Sequence, residues 1–316
     1  MRVISFGMIV GLVALGVMMT SCGQATSSST SQAQYRNIWV INVDGTGESE
    51  LVKSSLDLSA PQFSPDGTQI TLDTSNTLSV IERRSDIYIA SVNADTARAI
   101  ASSNWDESGA RWSPDGSQIA FESDGRIVVL TVATGATVNI ATGHRPAWSP
   151  DGLTLAYEYD GVRVVSANGS GDTNLGANGS HPAWFSSGAA IAYDLSSGSS
   201  SSIIVVTFPG GVKTTLATGR NPAVAPGGTL VAYERDGDLF AASTTRNESV
   251  VAIAAKQAVF SPNGAKLAYV YTGTGTDQIA VLSLSATANS TILCTGSRPS
   301  WSPDNLKLVF EKVVLR

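Results

Sequence analysis

The sequence predicts an all-β fold: a seven-bladed β-propeller of four-stranded antiparallel blades, closed by a composite blade from both termini. Three observations predict it. A five-residue anchor recurs seven times. Each copy belongs to the same series of short strands. The two ends of the chain carry complementary parts of the seventh unit.

The anchor is clearest at Trp148-Ser149-Pro150-Asp151-Gly152. Near copies begin at Phe63, Trp112, Phe260 and Trp301, and degenerate copies at Trp184 and Val224. Their spacings are 49, 36, 36, 40, 36 and 41, and residues 35–316 supply 282 residues for the seven units. Within the anchor Pro presets φ, Asp bonds its local backbone and Gly accepts a left-handed conformation, so the segment is a tight turn. It joins a first strand, 147–149, to a second, 154–158. Asp160-Gly161 then turns the chain into a third strand at 162–167, and a shorter fourth lies near 172–175. Third strands recur at 38–43, 87–92, 127–132, 203–208, 239–243 and 279–284. The propeller region enters on a third and a fourth strand (37–43, 50–53). It ends on a first strand at Trp301 and a second at 306–311. These halves complete one blade, and the ring they close has no open sheet edge. After the first 22 residues no stretch carries a helical period.

Composition agrees. Hydrophobic residues are 42% and charged residues 15%, below the usual quarter, with Ser, Thr, Gly and Ala in their place. The net charge is −6. An acidic chain repels phosphate backbones, and its longest basic run, Arg83-Arg84, is offset by Glu82 and Asp86, so nucleic acid is not an expected partner. Two cysteines make neither a disulfide framework nor a metal cluster, and Cys294 reads as a small buried hydrophobe.

Residues 1–22 read as a lipoprotein signal peptide. Arg2 is followed by apolar or small residues from Val3 to Met19, then Thr20-Ser21-Cys22. This resembles a bacterial lipobox, with Cys22 lipidated as the mature N-terminus; Met19 stands where an aliphatic residue is usual. Several acyl chains give stable anchoring where one is marginal. Gly23 after the cysteine, rather than Asp, points to the outer membrane. Residues 23–34, Ser/Thr-rich, read as a flexible tether, and 35–316 as the propeller. The expectation is an exported bacterial lipoprotein on the periplasmic side of the outer membrane or at the cell surface, membrane-held through its lipid.

The [Trp/Phe]-Ser-Pro-Asp-Gly anchor, followed by Ile119-Ala120-Phe121 and its equivalents, resembles the TolB-like, or PD40, propeller repeat. The resemblance covers residues 35–316. It implies a binding module for an envelope protein or peptide. TolB carries an N-terminal α/β domain besides its propeller. Here the expectation is a stand-alone, monomeric propeller with a tether and lipid in that domain's place.

Two columns of the repeat carry candidate chemistry. Ten residues after each anchor lie Asp73, Glu122, Glu158, Asp194, Glu234, Val270 and Glu311, six of the seven acidic. Three residues before each anchor lie Ala60, Gly109, Arg145, His181, Asn221, Gln257 and Arg298. Facing each other across a hairpin, Arg145 should meet Glu158, His181 Asp194, and Arg298 Glu311. Cross-strand pairs of this kind stabilise hairpins on their own account. Together they also make an acid-rich funnel at the channel mouth, able to take a cation such as calcium, a basic peptide, a small ligand or a glycan. Longer spacings put extra loop at 74–85, 195–202 and 272–277, on the same rim. Trp105, beside Asn104, Asp106 and Glu107, is a rim contact candidate.

Catalysis is not expected. No Gly-x-Ser-x-Gly is present, and there is no room for the second domain of a prolyl-oligopeptidase-like hydrolase. A metal-dependent polysaccharide lyase would need several His, and the chain has His144 and His181 in different columns. A carboxylate pair such as Glu122 and Glu158 could serve a glycosidase, but acid in nearly every unit marks a repeat feature.

Overall fold

The computed structural model describes residues 34–76, 84–93, 97–244, 247–285 and 289–315. Cys22, the signal peptide, residues 23–33 and most of the expected 74–85 loop lie outside them. The described residues form seven four-stranded antiparallel sheets and no helix, so no helix among them is long and apolar enough to cross a membrane. Blade 1 spans residues 57–101, blade 2 107–142, blade 3 144–176, blade 4 179–218, blade 5 220–252 and blade 6 255–295. Blade 7 combines 297–315 with 34–52. Nine register pairs, from Gln34↔Leu315 to Asn42↔Lys307, join its two halves.

The second strand explains the packing. In blades 2 to 6 its three central residues are aliphatic, small and aromatic in turn, as in Leu155-Ala156-Tyr157, Ile191-Ala192-Tyr193 and Val231-Ala232-Tyr233, all buried. Alternate residues of a strand face opposite sides. The small residue of one blade therefore receives the aliphatic and aromatic pair of the next. Ala120 packs with Leu155 and Tyr157, Ala156 with Ile191 and Tyr193, and Ala192 with Val231 and Tyr233. Seven such clusters, each shared by two blades, form the core of the described ring. Enlarging one of these alanines would overpack its seam at about 1–3 kcal/mol.

The anchor turn is held by its own side chains. Ser149 Oγ donates to Asp151 Oδ1 at 2.6 Å, and accepts from the Thr154 N–H at 2.9 Å. The Ser149 hydroxyl and the Leu153 N–H, which donates to Asp151 Oδ1 at 3.0 Å, hold the Asp151 carboxyl below the usual carboxylate range. Three of the four anchor tryptophans clip their blade to the one before. The indole N–H of Trp148 donates to Arg111 O at 3.0 Å, that of Trp184 to Ala147 O at 3.1 Å, and that of Trp301 to Val259 O at 3.0 Å. A Phe or Val anchor forgoes this bond. Five residues before four of the anchors stands Gly143, Gly179, Gly219 or Gly296. A Cβ on Gly143 would lie 2.5 Å from Tyr157 Cδ2 and 2.6 Å from Glu158 O, so the next strand excludes a side chain there.

Candidate functional site

The first strands line the central channel, and the two candidate columns meet at one mouth of it. The residue three before each anchor lies in the left-handed region in all seven blades, with φ between 50° and 67°. This bulge corrects the expected register: the Cα partner of Glu158 is His144, and that of Asp194 is Ser180, one residue earlier than the column. Positive φ turns the bulged N–H toward the preceding blade. There it donates to that blade's carboxylate: Ala60 to Glu311 at 2.7 Å, Gly109 to Asp73 at 3.0 Å, and Arg145 to Glu122 at 2.7 Å. His181 donates to Glu158 at 2.6 Å, Asn221 to Asp194 at 3.2 Å and Gln257 to Glu234 at 2.8 Å. Blade 6 has Val270 in place of the acid, and there Gln257 Oε1 accepts the Arg298 N–H at 3.1 Å. The acidic column is thus a clasp running from blade to blade around the ring.

Side chains pair within blades as well. Arg145 Nη1 lies 3.3 Å from both Glu158 oxygens, His181 Nδ1 2.7 Å from Asp194, and Arg298 Nη1 3.2 Å from Glu311. Asn221 donates to Glu234 at 2.9 Å. Arg145 Nη1 also lies 2.9 Å from His181 Nε2. With a guanidinium donor at Nε2 and a carboxylate at Nδ1, the neutral ring of His181 carries its hydrogen on Nδ1.

The acid of the funnel is answered by more basic side chains than the two columns supply. Basic side chains outside the two columns also reach the carboxylates: His144 to Glu122 at 3.1 Å, Arg36 to Glu311 at 3.6 Å and Arg220 to Glu234 at 3.9 Å. Arg36 further bridges Glu311 to Asp57 of blade 1. Among the described residues no group of three or more His, Cys, Asp or Glu is arranged to hold a metal ion. The carboxylates expected to gather a calcium ion are spread around the ring, each turned onto a backbone N–H.

Asp73 is the exception in charge. Burial pushes its carboxyl up to about 6, against the Gly109 N–H and the fields of Arg111 and Arg298, which favour the anion. Among the described residues its Oδ1 has no hydrogen-bond partner. Arg111, one residue before its anchor, lines the mouth cavity of about 640 Å³ beside Asp73. The column analysis missed it because the other six units carry no charge at that position.

Trp105 is 56% exposed and lies in a separate groove of about 340 Å³ at the seam of blades 1 and 2, with Phe121, Arg126 and Asn139. The groove shares no lining residue with the channel mouth. The insertion expected as a loop at 195–202 is instead an extended hairpin, paired out to Ser197↔Ser200, whereas 272–277 is a loop. Cys294 is partly buried rather than fully so, and burial pushes its thiol up to about 12.

Comparison with curated proteins finds no match. Among solved structures, a TolB candidate from Agrobacterium tumefaciens is 16% identical with a TM-score of 0.58, over 90% of this chain and 100% of that one. TolB from Acinetobacter baumannii is 15% identical with a TM-score of 0.55, over 78% of this chain and 64% of that one. Hydrazine synthase from Kuenenia stuttgartiensis is 13% identical with a TM-score of 0.61, over 81% of this chain and 94% of that one. At these identities the structures share the fold, and the fold alone. The sequence itself matches the TolB beta propeller domain, PD40, over residues 24–241. The chain therefore belongs to the PD40 family of TolB-type β-propellers.

Proposed function

We propose that this protein is a non-enzymatic scaffold of the bacterial envelope, anchored through a lipid on Cys22, that binds a protein or peptide partner at the rim of its channel mouth. The observation that carries this reading is the division of labour at the mouth. The carboxylates turn inward to clasp the blades, while Arg145, Arg220 and Arg298 keep 55%, 65% and 48% of their side chains exposed on a rigid ring. Arginine on a fixed frame is a frequent anchor of protein interfaces. Membership of the TolB-type family supports a partner-binding role.

The test is capture by cross-linking from envelope extract, comparing the unaltered chain with a triple R145A/R220A/R298A variant checked for folding by circular dichroism. The same protein recovered reproducibly with the unaltered chain and lost with the variant supports the reading. A partner held equally by both places binding away from the rim and overturns it. Labelled fatty acid incorporated into the chain, and absent from C22S, tests the anchor.

A further inference from the structure

Beyond the clasped mouth the channel opens into a second cavity of about 460 Å³, between the first strands of blades 6, 7 and 1. Its chemistry is different. Arg111 and Arg298 are its only charged lining residues, and Phe260, Trp301, Val259 and Pro61 give it apolar walls. No carboxylate lines it.

Arg111 reaches this cavity from blade 2. The corresponding residues of the other units are Gln62, Ala147, Ala183, Ala223, Val259 and Ser300, so the repeat needs no arginine here. Among the described residues no carboxylate forms an ion pair with Arg111, although Asp73 and Glu122 both act on its charge from farther off. Its Nη1 donates to Ala110 O at 2.9 Å. With the Gln62 amide turned oxygen-first, Nη1 also reaches Gln62 Oε1 at 3.0 Å, while the Gln62 nitrogen donates to Ala110 O at 3.2 Å. Gln62 therefore holds one side of the guanidinium, and among the described residues Nε and Nη2 make no hydrogen bond. A half-buried cation with donors free of protein partners favours an anion, and the planar guanidinium matches the two oxygens of a carboxylate. Arg298 commits its Nη1 to Glu311 at 3.2 Å and adds a second positive charge to the cavity. The volume is in the range of about 300–1,000 Å³ usual for small-ligand pockets, which are mostly apolar with a few convergent polar groups.

We propose that this cavity binds a carboxylate with an apolar body, its oxygens on Arg111 and Arg298 and its body against Phe260 and Trp301. A free organic acid and the C-terminal carboxylate of a peptide ending in an apolar residue present the same chemistry. The site shares Arg298 with the proposed rim surface; Arg111, on which the test turns, is left in place by the rim variant.

The experiment is isothermal titration of the full chain, in mild detergent, with four probes: hexanoate, hexanamide, a tripeptide ending in leucine, and its C-terminal amide. At least one acid binds, and its amide binds at least tenfold more weakly. The acid that binds more tightly identifies the source of the carboxylate. R111Q loses at least tenfold in affinity for that acid, and R111K recovers part of it. Equal binding of acid and amide, no binding of either acid at millimolar concentration, or full affinity in folded R111Q overturns the proposal. Should R111Q fail to fold, the contrast of acid with amide on the unaltered chain decides.

Discussion

Replacing Glu311 with alanine tests whether the ring is held shut by its clasp. Glu311 is 2% exposed and sits where blade 7 meets blade 1. It accepts the Ala60 N–H at 2.7 Å and faces Arg298 at 3.2 Å and Arg36 at 3.6 Å. A hydrogen bond to a charged group contributes about 1.5–3 kcal/mol, and removing one partner of a buried ion pair costs about 3–5 kcal/mol. Two circumstances place E311A at the low end. Arg36 keeps Asp57, and Arg298, 48% exposed, recovers water. The expected loss is about 3 kcal/mol. Glu311→Gln keeps an acceptor for the Ala60 N–H and gives up only the charge, an expected loss of about 1–1.5 kcal/mol. Gln257→Ala removes the neutral substitute for the clasp at blade 6, and about 1 kcal/mol is expected. Urea unfolding followed by tryptophan fluorescence and far-ultraviolet circular dichroism reads all three. E311A within about 0.5 kcal/mol of the unaltered chain, or equal to E311Q, refutes the clasp as the closing interaction.

Asp73 gives a pH prediction. Its folded-state value of about 6 lies above the ordinary 3.8, so between these values the folded chain binds more proton than the unfolded one. The contribution is fully present below about 3.8, is lost as pH rises through about 6, and amounts to about 3 kcal/mol. Asp73→Asn therefore stabilises the protein at neutral pH and flattens its melting temperature between these limits; an unchanged pH profile in D73N contradicts this. Trp148→Phe removes a clip and costs about 1 kcal/mol, whereas Trp112→Phe removes an indole N–H that has no partner and costs less. Equal losses in urea unfolding would show that the clips are incidental. Gly219→Ala brings a Cβ to 2.5 Å from Tyr233 Cδ2 and 2.9 Å from Glu234 O at a φ of +150°, with an expected loss of about 2–4 kcal/mol. A melting temperature matching the unaltered chain would refute the exclusion.

The blade count and the composite seventh blade are legible in the sequence because anchor-turn chemistry is local and repeats. The pairs Arg145–Glu158, His181–Asp194 and Arg298–Glu311 are legible for the same reason, since they form inside one hairpin. The bond from blade to blade is not, because it joins different units and needs positive φ at Arg145, Gln257 and Arg298, residue types that seldom adopt it. A trace was present: the same column holds Gly109 and Asn221, which tolerate that conformation well. Arg111 was overlooked for the opposite reason. It departs from its column, and reading by repeat discounts the residue that occurs once. The serine-rich stretch at 195–202 has a loop's composition, but its register continues the ladder of blade 4.

The nine-rung junction of blade 7 also decides how the propeller meets a force. Other junctions between second and third strands have at most eight rungs. Tension along the chain at Gln34 runs parallel to the strand and perpendicular to its hydrogen bonds, so the nine rungs are sheared together rather than unzipped in turn. On its other side the same strand holds only Val52, Glu50 and Ser49 as partners, and these would peel away first. A pull from the N-terminal side is thus resisted by the two halves of the closing blade acting as one mechanical joint.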